Sequence, residues 1–384
     1  MPRQVGAEVE QVKRVHVFTD APSALFLKQF PGSSDTFSGL KFTIGLEVPD
    51  DIDALIVFNR ASYSVPTKLP KSRTAFIAAE PDDIHPYAAR YLNQYGTVIS
   101  ATEKTLATEH WKVAPHWYWF AGMSFGARAH ADALRGYDHF ASMPVPPQKH
   151  DKIAIVTSNK VHTEFHKSRL VFLEALMERI PEYLDVYGRG FKTIDDKADA
   201  LWPHKYHIAL ENCTGRDTWT EKVADPFLCW SFPFYSGCTN LAEYFPEDSF
   251  LELDTTDPDK AAQTIKTSIE TDLWSRSLPA LTQARELILE KYNIAQQLVK
   301  LAQHLLTHDV KPADAPRRWI WSERALWPEP SARGSIGQWA LRNAIMLFDP
   351  GAELKTVGLR NSIEAARNRK RARKLAVLEG KKRD

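Results

Sequence analysis

Short apolar runs alternate with helix-patterned segments along this chain, and that alternation limits its fold more tightly than any other feature. "VHVF" (15–18), "DALIVFNR" (53–60), "TAFIAAE" (74–80) and "GTVIS" (96–100) are each a few residues long and flanked by polar or turn residues. That is the pattern of strands buried in a sheet. Between them, segments such as "HPYAARYLNQY" carry helical spacing. Such alternation predicts a parallel sheet covered by helices. Near 140–150 it breaks into "ASMPVPPQKHDK", three prolines without periodicity, which reads as an interdomain linker.

A second alternation begins beyond that point. "KIAIVTSNK" is a strand running into a loop, and "SRLVFLEALMERI" is an amphipathic helix with Leu170, Leu173, Leu176, Met177 and Ile180 on one face. "YLDVYGRG", "YHIALEN", "FPFYSG" and "SFLELD" continue as strands, and residues 258–307 read as mostly helical. At 384 residues the chain is too long for one ordinary core. We therefore expect an α/β unit over 1–145, a second over 151–310, and a Trp/Pro-rich segment with a basic helical tail over 311–384.

Two such units imply a cleft, and open α/β sheets bind ligands at the carboxyl ends of their strands. Post-strand residues are thus the first candidates. Arg169 falls in the opening turn of the predicted helix, where free N–H groups and a guanidinium could hold a phosphate; a solvent-facing arginine would look the same. In "DVYGRGFKT", Gly188 and Gly190 would let backbone approach a ligand, although a plain turn fits equally and the dinucleotide fingerprint is absent. In "HIALENCTGRDTWTEK", Thr218 and Glu221 have capping-box spacing for a helix starting near Trp219. Lys222 would then occupy the first turn, where the helix dipole disfavours a cation unless an anion binds. Arg169 and Lys222 together would match a diphosphate. Glu80, at the end of "TAFIAAE" and before Pro81, is either a general base facing the cleft or a solvated carboxylate opening a turn.

Other patterns carry less. His162 and His166 lack the glutamate that a zinc-protease motif requires, and Asp51/Asp53 and Asp257/Asp259 suit turns and caps. There is no phosphate-binding G-x-x-x-x-G-K motif and no G-x-S-x-G elbow. The three cysteines, Cys213, Cys229 and Cys238, cannot complete a disulfide framework within one chain and point to a reducing compartment. A net charge of +1 gives no global reason to expect nucleic acid. Neither the opening "MPRQVGAEVEQVKRVHVF" nor any later stretch has the apolar length of a signal peptide or membrane span, so a cytoplasmic protein is expected. The stretch from Arg360 holds ten Lys/Arg against three Asp/Glu. With Leu375, Val377 and Leu378 it is either an amphipathic arm for an anionic membrane surface or a solvated tail.

"YHIALENCTGRDTWTEKVADPFLCWSFPFYSGCTNLAEYFPEDSFLELD", preceded by "IAIVTSNK", "SRLVFLEAL" and "DVYGRG", resembles glycosyltransferase family 10, the α1,3/α1,4-fucosyltransferases. The family's F-E-N, T-E-K and P-x-x-S-F segments have counterparts here, with Leu210 in place of the usual Phe. The clear resemblance covers about residues 151–254. It implies a GT-B fold, two Rossmann-like domains facing across a cleft, and inverting transfer of L-fucose from GDP-fucose to a glycan hydroxyl. The family's pyrophosphate ligands fall on Arg169 and Lys222, its T-E-K carboxylate on Glu221, its amide on Asn212 and its base on Glu80. Gly188, Ser158, Asn159 and Thr218 join the implied donor-binding set, with Glu80 and Glu221 as the catalytic pair. No metal is implied as a requirement, a divalent cation being at most a stimulant. The resemblance suggests a bacterial-type cytoplasmic enzyme, peripheral to the inner membrane face through its tail, acting on a lipopolysaccharide- or capsule-like acceptor. One departure concerns the donor: the aromatic usual two positions before the T-E-K threonine is Thr218 here, with Trp219 next. A transferase of another nucleotide sugar is the alternative that this raises. A non-catalytic glycan-binding scaffold is the other, against which stands the joint retention of Arg169, Asn212, Glu221 and Lys222.

Overall fold

The computed structural model describes residues 12–124, 135–157, 164–188, 190–308 and 317–323, with isolated positions 340, 344 and 348; of 164–167 it describes backbone only. The first unit runs β1 (Lys13–Phe18), α1 (Ser23–Leu27), β2 (Thr36–Phe37), β3 (Leu40–Gly45), β4 (Ala54–Phe58), β5 (Val65–Thr67), β6 (Thr74–Ile77), α2 (Ala89–Leu92), β7 (Thr97–Ile99) and β8 (Glu109–Trp111). Its seven-stranded sheet has the order β2-β3-β1-β4-β6-β7-β8 and is parallel except where β2 pairs with β3. Every residue of β4 and β6 is buried, as unbroken apolar runs in a parallel sheet require. The apolar-run criterion misses β3, because Leu40 and Phe42 are buried while Lys41 and Thr43 beside them are exposed. The helical pattern of "HPYAARYLNQY" yields only one turn, α2.

After α3 (Tyr137–Ser142) the second unit runs β9 (His150–Val156), α4 (Glu164–Arg179), β10 (Leu184–Tyr187), α5 (Lys197–Leu201), β11 (His204–Gly215), α6 (Glu221–Leu228), β12 (Phe232–Cys238) and β13 (Leu251–Glu252). The helices α7 (Pro258–Glu270), α8 (Leu273–Glu290) and α9 (Ile294–Leu306) come next. Its sheet, β10-β9-β11-β12-β13, is entirely parallel. The chain leaves β9 first towards β10 and then returns past it to β11. The strand order therefore reverses between β9 and β11, the place where open α/β sheets hold ligands. On α4 the buried face is Phe172, Leu173 and Leu176, continued by Ile180 just past its end; Met177, expected inward, is 41% exposed.

Two parallel α/β units in tandem make a GT-B-like architecture. The junction between them is more interwoven than a linker at 140–150 would make it. Trp119, Ala121 and Phe140 are buried in the core of the second unit, whereas Ile294, Leu298, Leu301 and Leu305 of α9 lie in the core of the first. Asp225 of α6 accepts from the backbone N–H groups of Phe120 and Ala121, both at 3.1 Å, and pairs with Lys197 at 2.7 Å. Lys28, beside α1, donates to the carbonyl of Ala121 at 2.6 Å. A buried carboxylate needs such donors and a counter-charge, and here they pin residues 120–121 to both units. A last short strand, β14 (Arg318–Ile320), pairs antiparallel with β5. Among the described residues no helix is long and apolar enough to cross a membrane.

Candidate active site

A cavity of about 170 Å³ lies at the strand-order reversal of the second unit. The end of β9 (Ile155, Val156, Thr157) and the middle of β11 (His207 to Leu210) line it, with Arg169, Lys197, Glu221, Lys222 and Phe120 around the rim. The segments that leave the strand ends shape it. Gly188, directly after β10, has φ +115°, and a Cβ there would stand 1.8 Å from the carbonyl oxygen of Thr157. Only glycine lets the ends of β9 and β10 approach so closely.

The "TWTEK" stretch forms the other wall, with a cap shifted from the expected one. Thr220, not Thr218, is the N-cap of α6, and Glu221 is its first residue. The hydroxyl of Thr218 instead donates to the carbonyl of Gly215 at 2.8 Å, closing the preceding turn. Trp219 is buried against His116, Tyr244, Phe245 and Tyr292 and does not line the cavity. Lys222 extends its ammonium to Thr220 Oγ1 (3.1 Å), Glu221 Oε1 (3.3 Å) and Glu211 Oε2 (3.3 Å). Burial opposes its charge, but Glu221 and Glu211 outweigh burial and hold the ammonium more firmly protonated than usual. Burial likewise pushes the Glu221 carboxyl up, yet Lys222 and Lys197, with hydrogen bonds from Thr220 and Lys222, bring it below the ordinary range. Glu221 is therefore a fixed anion.

Glu211 escaped the sequence reading although it belongs to the quoted "ALEN". It accepts from the Thr220 backbone N–H (2.8 Å) and hydroxyl (2.7 Å), and burial raises its carboxyl despite Lys222. The available signal was a lone carboxylate inside an apolar strand, which must bring its counter-charge from elsewhere.

Arg169 lies in the second turn of α4 rather than the first, because the helix already begins at Glu164. It owes nothing to the helix terminus. Its Nη1 donates to Asn212 Oδ1 at 3.2 Å, and burial alone lowers its pKa, with no carboxylate among the described residues opposing that fall. Arg169 Nε, Thr157 Oγ1 and His207 Nδ1 are buried without hydrogen-bond partners among the described residues. Buried polar groups are nearly always satisfied, so an uncompensated guanidinium beside unsatisfied atoms suits an anionic ligand.

Glu80 lies just beyond β6 on the first unit and is half-buried. Burial raises its carboxyl; Lys222 opposes that rise, Glu221 adds to it, and His85 and Arg60 oppose it. The charges of α6 thus reach Glu80 across the cleft. Tyr118 lies between the two sides: burial and then the carboxylates Glu221, Asp20 and Glu80 raise its phenol. Trp117 donates its indole N–H to the carbonyl of Ala79 at 2.9 Å and fixes the strand end that carries Glu80. Ser158 and Asn159 lie outside the described residues, as do Arg189 and most of 311–384. Asp257 caps α7 and Asp259 pairs with Arg179, so this D-x-D pair is structural.

The family match falls on the same unit. Residues 146–272 match the C-terminal domain of glycosyltransferase family 10 (fucosyltransferase). A putative fucosyltransferase-like protein of Arabidopsis thaliana is 32% identical over 131 residues, 33% of this chain and 25% of that protein. The chain thus spans about a quarter of the plant relative's length. Among solved structures, an α1,3-fucosyltransferase with GDP is 15% identical, with coverage of 81% of this chain and 95% of that one at a TM-score of 0.48. The same kind of enzyme with GDP-fucose is 14% identical, covering 78% and 91% at 0.47.

Proposed function

We propose that the protein is an inverting glycosyltransferase that moves L-fucose from GDP-fucose to a glycan hydroxyl. The observation that carries this reading is Arg169: a partly buried guanidinium with no carboxylate against it among the described residues, at the strand-order reversal of a family 10 domain. Arg169 and Lys222 would hold the diphosphate and stabilise its charge as the sugar departs. Glu80, raised by burial, would take the acceptor hydroxyl's proton as that oxygen attacks the anomeric carbon from the opposite face. Glu221, held anionic at the cavity rim, would face the positive charge that develops on the sugar. Asn212 would act through Arg169, and Gly188 by letting the β10 end close against Thr157 at the cavity.

Side-by-side calorimetry with GDP, UDP, CDP and dTDP tests the donor, and selective GDP binding is expected. Preference for another nucleotide would retain the transferase and discard fucose; this is the second reading, motivated by Thr218. Binding of none would leave a scaffold. The acceptor class, a lipopolysaccharide- or capsule-like glycan, belongs to the same proposal. So does a bacterial-type cytoplasmic enzyme touching anionic membrane through the basic tail. Co-sedimentation with anionic vesicles, full chain against one ending at 358, tests the tail; equal pelleting of both would remove it from the proposal.

A further inference from the structure

Next to Glu80, among residues that do not line the cavity, a second constellation joins residues far apart in sequence. His85 and Glu323 are each 4% exposed, and His85 Nε2 lies 2.5 Å from Glu323 Oε1. His85 ends the turn that opens at Pro81, its backbone N–H donating to the Pro81 carbonyl at 2.8 Å. Its ring stands edge-on to Tyr87 with centroids 4.6 Å apart. The Tyr87 phenol donates to Asn59 Oδ1 at 2.5 Å and meets the backbone N–H of Glu80. Glu323 is thus two side chains away from the Glu80 backbone.

The stretch that delivers Glu323, residues 317–323, lies beyond the family 10 match and is anchored without it. β14 pairs with β5, and Ile320 is fully buried in the first unit. Arg318 donates to the Leu69 carbonyl and the Thr74 hydroxyl, both at 2.9 Å. The Trp321 N–H reaches Gln94 Oε1 at 2.8 Å and the Ser322 N–H reaches Ser64 Oγ at 2.9 Å. A buried carboxylate–imidazole pair adds little net stability to a strap so held. What it does add is a fixed place for the His85 ring, whose charge bears on Glu80.

We propose that Glu323 is a positioning residue for the transfer reaction, holding His85 and, through His85 and Tyr87, the loop that sets Glu80. This rests on the reading of Glu80 as the base. The groups facing Glu80 are Lys222 and Glu221 from α6, Arg60 from beyond β4, and His85 and Tyr87 from its own loop, with Tyr118 from the crossing segment. Of these, His85 lowers the Glu80 carboxyl, so loss of its place or charge moves the acid limb of the pH–rate profile to higher pH.

The test compares the full-length wild type with E323Q and with H85Q/E323Q, whose two amides can re-form a neutral hydrogen bond if the single variant fails to fold. We expect kcat to fall roughly tenfold, as small misplacements of catalytic groups do. GDP affinity should stay within about twofold, the scatter of a substitution distant from the nucleotide. The acid limb should move upward in both variants. Wild-type kcat and an unmoved limb in folded E323Q or H85Q/E323Q would overturn the proposal, even if the melting temperature dropped. E80Q separates the two levels. If E80Q retains transfer, the base assignment fails by itself. If E80Q is inactive while the Glu323 variants behave as wild type, only the positioning role is lost.

Discussion

The two sides of the cleft are built in opposite ways. On the second unit, the charged side of the cavity comes largely from one short piece of chain: Glu221 and Lys222 line it, Glu211 and Thr220 within the same twelve residues hold them, and Lys222 serves both carboxylates. On the first unit, Glu80 stands with no carboxylate or ammonium of its own strand, and its surroundings are gathered from everywhere. Trp117 holds its strand end, α6 supplies the facing charges, and Glu323 arrives from beyond α9. A self-contained wall can be recognised in a short motif and tolerates drift elsewhere. A gathered wall depends on the whole fold and is exposed to changes far from it.

The strongest test of this contrast is Glu80→Gln. On the proposed mechanism, transfer falls by about 10²–10⁴, the ordinary worth of a general base, while calorimetric GDP affinity is unchanged. Retained transfer would remove the first unit's side from the chemistry. Lys222→Ala should act differently, weakening GDP binding and destabilising the protein together. It leaves Glu211 and Glu221 buried without their shared counter-charge, a loss of about 3–5 kcal/mol for a broken buried pair, measurable by urea unfolding. Stability equal to wild type would show that Lys222 is not the counter-charge that the two carboxylates depend on. Arg169→Ala, by contrast, should lower GDP affinity by about tenfold or more, the scale of a lost charge-assisted contact, without loss of stability, since Arg169 offsets no carboxylate among the described residues.

The pH dependence should sharpen the same difference. Glu80 must be deprotonated to act, and burial raises its carboxyl. Turnover should therefore fall as pH drops through a value above the ordinary carboxylate range, and recover above it. Glu221 is depressed and stays charged throughout that window, so GDP binding should not track the same limb. The smallest effect belongs to Thr218→Val. Its hydroxyl closes a turn with Gly215 and meets the Cys213 thiol, and nucleotide affinity should change by no more than about twofold, the usual range for such sites. A large change in nucleotide preference would return Thr218 to the donor site.

Local chemistry made much of this legible. Continuous apolar runs mark β4, β6, β9, β11 and β12, and prolines with turn residues separate them. The details that local pattern misjudges share a cause. The apolar spacing that marks α4 starts only at Leu170, whereas the helix runs from Glu164, so the pattern places Arg169 a turn too early, and it rotates the inward face of α4 to favour Met177 over Phe172. The capping box at Thr218 and Glu221 is a correct spacing defeated by tertiary demand, because Glu211 draws Thr220 into the cap.

By itself, then, the sequence determined two parallel α/β units and a charged loop after an apolar strand, because burial on both faces of a sheet and turn chemistry are written residue by residue. Only the tertiary structure decided which charges meet. The pairing of Lys222 with Glu211, and the meeting of Arg169 with Asn212 at the cavity, come from the order of strands. The return of α9 to the first unit and the seating of Glu323 against His85 come from long crossings. Neither kind of encounter leaves a local signature, since buried charges select their partners by proximity in space and by the cost of standing unpaired.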